Sequence, residues 1–131
     1  HKGTDGRYYL IDAARAFPPT EPVAGVKSCY LYKLFRPEFL KQYKTALDPD
    51  AFSPFDKFNP TRETNREEIS EATKFLYNEI IPQFCNSVKV TRRTTQAQLI
   101  DKLHQAGINV RYLGLVRKHA STTLLRKMAV I

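Results

Sequence analysis

Acidic side chains are nearly missing from the last third of this 131-residue chain. Between residues 87 and 131 the one acid is Asp101, set against Lys89, Arg92, Arg93, Lys102, Arg111, Arg117, Lys118, Arg126 and Lys127, so 9 − 1 = +8, which is the whole formal net charge. Residues 1–86 balance 12 basic with 12 acidic side chains. Long apolar runs are missing too. None approaches the roughly 18 residues that a membrane-spanning helix needs, and the start HKGTDG lacks a basic-then-apolar signal pattern. The expectation is a cytoplasmic chain with no membrane span. Cysteine is scarce: Cys29 and Cys85 have no CxxC spacing and no nearby histidine pair, which argues against zinc and predicts reduced, buried thiols. His1, His104 and His119 are scattered, with no HExxH-like spacing. With five glycines the chain has neither a GxxxxGK[ST] nor a GxGxxG phosphate loop, and Ser87 and Ser121 lack the GxSxG context of a nucleophile elbow. These absences predict a noncatalytic protein with no cofactor and no resident metal.

The local patterns present predict a mainly helical α+β fold, a small N-terminal β hairpin packed on about five helices. Thr4-Asp5-Gly6 is a turn sequence leading into a strand over 7–12, and 26–34, with Cys29, Tyr30, Leu31 and Tyr32, is its expected antiparallel partner. Between them, 13–17 can form one helical turn capped by Asp12 before Pro18 and Pro19 stop it. Pro37 at a first helical position opens a helix over 37–47. The segment 48–60, with three prolines and with Phe52, Phe55 and Phe58, reads as an ordered loop that wraps the core. A helix over 64–84 carries the stripe Ile69, Ala72, Phe75, Leu76, Glu79 and Ile80, bent or broken by Pro82. Thr95 and Gln98 form a capping box for a helix over 96–106, Gly107 ends it, Asn109 caps a further helix and Ser121 a last one. The domain reading is 1–131 as a single domain or an excised fragment, with 1–36 as strand pair and loop and 37–131 helical.

The charge block makes the C-terminal face the candidate site. Arg92, Arg93, Arg111, Arg117, Lys118, Arg126 and Lys127 suit phosphate contacts, with Tyr112 interleaved as a stacking ring or as half-buried core, and the expected partner is RNA or an acidic protein surface. A rival reading starts from YYLID at 8–12. A strand ending in Asp12 can present a carboxylate to Mg²⁺ in a kinase-type phosphotransferase, although a helix cap or an Arg15 partner accounts for Asp12 as well.

Three motifs, GTDGRYYLIDAARAFPP at 3–19, LFRPEF at 34–39 and LHQAGINVRYLG at 103–114, resemble the Clu domain family, named for the clustered mitochondria seen when it is lost. The family is related to a peripheral component of the translation-initiation machinery. The resemblance implies the C-terminal part of a Clu domain with its adjoining helical region. It also implies no established enzyme, but a role in mitochondrial distribution and in binding mRNAs for mitochondrial proteins. The FPP at 17–19 departs from the TPRD that follows the aspartate in many members.

Overall fold

A computed structural model describes residues 1–9 and 16–128. The helices among them are α1 (Pro37–Gln42), α2 (Arg62–Phe75), α3 (Ile81–Ser87), α4 (Gln96–Gln105), α5 (Leu113–His119) and α6 (Thr122–Met128). A π-helical turn, Leu76–Ile80, joins α2 to α3 in one continuous column. Proline at 82 has no N–H and its ring crowds the carbonyl four residues back, so the wider turn just before it lets the helix pass through. The extra residue also rotates the buried face. Ile69 and Ala72 are buried before the π turn, Leu76 and Ile80 at its two ends, and Ile81, Phe84 and Cys85 after it, while Glu79 points to solvent.

The N-terminal hairpin is not formed, so the α+β expectation gives way to an all-helical architecture among the described residues. Only two isolated antiparallel bridges occur there, Lys2 with Tyr8 and Pro19 with Leu34. Arg7–Tyr9 therefore turns back on the chain's own start, with the Tyr9 amide donating to the His1 carbonyl at 2.8 Å. The segment expected as its partner is a 3₁₀ turn at Cys29–Leu31, entered through Ser28 at φ 53. Tyr and Leu favour strands only where a neighbouring strand takes up their backbone groups. Here the amides of Leu31 and Lys33 are spent locally, on the carbonyls of Ser28 and Cys29. The rest of the expected first strand, Asp12 and the turn at 13–17 fall wholly or partly on residues outside the described ones.

Helix α1 stops at Gln42, earlier than its periodicity suggests, because Tyr43 turns to an extended conformation. Its ring stacks on Phe39 at 5.2 Å and meets Phe75 at 5.6 Å, while Phe35 closes the stack on the other side of Phe39 at 4.7 Å. Leu47 reaches the core from a non-helical segment. The loop that follows is ordered by polar anchors and by one of its three phenylalanines, Phe52, which packs against the core. Asp48 accepts from Asn59 and Asn65, at 3.0 and 2.6 Å, and the buried Asp56 accepts from the Phe52 amide at 3.0 Å and from Arg66 at 2.6 Å. Phe55 and Phe58 are left exposed, at 59% and 78%. Both cysteines are free and buried.

Candidate anion-binding face

The C-terminal third is built from helices whose ends are set by local chemistry. Thr95 accepts from the Gln98 amide while Gln98 reaches back to the Thr95 amide at 2.9 Å, which starts α4. Gly107 ends it at φ +80, and a Cβ there would lie 2.8 Å from the N, Cα and Cβ of Phe39. The joint is thus a close approach to α1 as well as a turn. Asn109 then caps the 3₁₀ turn Val110–Tyr112 through the Arg111 amide at 3.0 Å. The last turns of α4, α5 and α6 carry Lys102 and His104, Arg117 to His119, and Arg126 and Lys127. Cations at helix C-termini are favoured by the helix dipole, typically by about 0.3–1 kcal/mol each. That accounts for their positions without neutralising their charge.

The candidate residues separate into three groups. Tyr112 is 6% exposed, its ring edge-on to Tyr77 at 5.4 Å and its hydroxyl donating to Thr20 Oγ1 at 3.3 Å, so no base can stack on it. Burial next to the Tyr112 hydroxyl pushes the Tyr77 phenol well above its ordinary range. Arg111 and Lys127 are tethered to backbone. Arg111 donates to the Tyr32 carbonyl, and Lys127 Nζ donates to the carbonyls of Arg92 and Thr94 at 2.7 and 3.0 Å. Arg92, Arg93, Arg117, Lys118 and Arg126 are exposed and make no ion pair with any described residue.

Helix α6 divides this surface. Leu125 and Met128 line a cavity of about 280 Å³ with Leu113, Gly114 and Arg117 of α5. On another face Thr123, Arg126 and Lys127 line a cleft of about 380 Å³ with Thr91 and Arg92 from the turn before α4. The two threonines were not singled out from sequence. Thr123, Arg126 and Lys127 stand at i, i+3 and i+4, so their shared helical face was readable; the Thr91 turn opposite them was not.

Residues 94–130 match the family model of the translation initiation factor eIF3 subunit 135. A clustered mitochondria protein homolog of Candida albicans is 40% identical over 74 residues, 56% of this chain, and that of Caenorhabditis briggsae is 35% identical over 80 residues, 58% of the chain. This chain is similar to a part of the clustered mitochondria proteins. The Caenorhabditis elegans homolog adds 32% identity over 63% of the chain. The matches take in only 5% to 7% of the length of these relatives. No solved structure matches. The phosphotransferase alternative draws no support from these names, and Asp12, its metal ligand, lies outside the described residues. Among the described residues no helix is long and apolar enough to cross a membrane, and no cluster of three His, Cys, Asp or Glu residues is set to hold a metal.

Proposed function

We propose that this chain is a noncatalytic helical module of a clustered-mitochondria-type protein of the cytoplasm, and that its basic C-terminal third holds RNA by the phosphate backbone. The observation that carries the reading is the exposure of Arg92, Arg93, Arg117, Lys118 and Arg126 without a carboxylate partner among the described residues. A solvated helix face that serves only solubility mixes both signs of charge; this one holds a single acid among nine bases. The relatives' name supports a role in the distribution of mitochondria, and the match to an initiation-factor family supports a partner from the translation machinery. With Tyr112 buried and Tyr77 set edge-on against it, binding rests on charge rather than on stacking. It is therefore salt-dependent and weakly selective for sequence.

Fluorescence anisotropy with a single-stranded RNA tests this. The logarithm of the binding constant should fall linearly with that of the salt concentration, with a slope of roughly −0.7 for each phosphate neutralised. Changing Arg93, Arg117 and Lys118 together to Gln should flatten the slope by about 2 and leave the fold intact. A salt-independent constant, or tighter binding to polyglutamate than to RNA, would sink the RNA reading.

A further inference from the structure

We infer that the cleft between the Thr91–Thr94 turn and α6 is a discrete site for one phosphate group, occupied by a phosphodiester of the bound RNA. The ownership of that phosphate rests on the reading above; the site itself rests on its own geometry. Three cations line the cleft, Arg92, Arg126 and Lys127, and no carboxylate does. The cleft of about 380 Å³ has room for a phosphate group together with part of the chain that carries it.

What sets this cleft apart from the rest of the basic face is that its walls are tied together. The Thr91 turn is closed by Thr94, whose amide donates to the Thr91 carbonyl at 3.1 Å and whose hydroxyl accepts from the Thr91 amide at 2.9 Å. Lys127 then crosses from α6 and donates to two carbonyls of that turn, those of Arg92 and Thr94. An ammonium group has three N–H donors. Two are used in holding the walls together, and one remains with the full positive charge. A carboxylate in the same place would have neutralised it; two neutral carbonyls do not.

Around this fixed charge stand two exposed guanidinium groups and two hydroxyls. Arg92 and Arg126 make no side-chain hydrogen bond to a described residue, so their planar donor forks are open to tetrahedral oxyanion recognition. Thr123 adds a donor without charge, and the Thr91 hydroxyl, which shares a hydrogen bond with that of Thr94 at 3.3 Å, lines the same cleft. A site of one anchored ammonium, two free guanidiniums and the Thr123 hydroxyl supplies donors for the two charged, non-bridging oxygens of a phosphodiester. Arg117 lines the separate cavity shared with Leu113, Leu125 and Met128, where no second cation stands beside it, and Lys118 lines neither cleft, so both serve as general counter-charge.

Two measurements on the whole chain test the assignment. In the first, inorganic phosphate is titrated into ¹⁵N-labelled protein at constant ionic strength. Saturable amide shifts confined to residues 91–95 and 122–128 are expected; shifts spread over every basic residue, or none, overturn the site. In the second, RNA affinity is compared for Arg126→Gln, Thr123→Val and Arg117→Gln, each checked for an unchanged amide spectrum. The first two should each weaken binding about tenfold, since a hydrogen bond to a charged group is lost, whereas Arg117→Gln, with the same charge change, should cost about twofold. Thr123→Val should leave the salt slope unaltered. Equal losses for Arg126→Gln and Arg117→Gln, with Thr123→Val silent, overturn the phosphodiester assignment. Localised phosphate shifts in a chain with no RNA affinity would uphold the site and reject the RNA reading, so the two proposals fail separately.

Discussion

The paired arginines of residues 1–86, Arg36, Arg62 and Arg66 among them, are held by carboxylates, while the held cations Arg111 and Lys127 of residues 87–128 are tethered to carbonyls. Arg36 pairs with Glu38 at 2.8 Å, and Arg66 pairs at 2.6 Å with an Asp56 side chain that has no exposed surface. Arg111 and Lys127, by contrast, donate to main-chain carbonyls of Tyr32, Arg92 and Thr94. Both arrangements fix a long side chain and lower its freedom. Only the first cancels its charge. The N-terminal region uses ion pairs as internal fastening, whereas the C-terminal region is fastened in a way that leaves its field intact for an outside anion.

The largest break in this comparison comes at the joint between the regions. Gly107→Ala places a Cβ 2.8 Å from Phe39 in a backbone of φ +80, so unfolding by urea should show a loss of about 3 kcal/mol. Gly25→Ala, at φ +77 with open space around it, should lose about 1 kcal/mol. Similar losses at both positions would show that the contact with Phe39 is unimportant. A smaller effect separates the two fastenings. Asp56→Ala strands Arg66 and the Phe52 amide and should cost about 2 kcal/mol, discounted because Arg66 is partly exposed, while Lys127→Met should cost about 1 kcal/mol or less. If Lys127→Met were the more damaging, the carbonyl tether would be the stronger fastening. The smallest effect lies at the seam, where Tyr77 meets Tyr112. The Tyr77 phenol is raised from 10.0 in the folded protein, chiefly by burial, so below pH 10 both states keep the proton and stability is full. Above pH 10 the unfolded chain releases it first, and stability falls as pH rises toward the folded value. The Cys85 thiol, raised from 9.0 by burial, starts the decline earlier. Tyr77→Phe should make the fall above pH 10 shallower in pH-dependent denaturation; an unchanged fall would detach Tyr77 from it.

Much of the local structure was legible in residue order because its causes act within about four residues. The capping box of Thr95 and Gln98, the left-handed Gly107, the Asn109 cap and Pro37 at a helix start all form as their spacing indicates. The same is true of the one-sided charge and of the three motifs that carry the family likeness. A strand is different, because its backbone groups need a partner that sequence does not name. Tyr30, Leu31 and Tyr32 have strand-forming side chains but fold into a 3₁₀ turn and its exit, and the expected hairpin is replaced by single bridges.

By itself, then, the sequence determined which caps and turns form, where the charge lies and which proteins this chain resembles. Tertiary structure decided which of the basic residues are free. It buried Tyr112 against Tyr77, tied Arg111 to a carbonyl 79 residues away, and brought Thr91 and Arg92 opposite Thr123 and Arg126 across one cleft. The physical reason is range: caps and turns are satisfied by near neighbours, whereas burial, tethering and enclosure depend on what the fold sets across from a side chain.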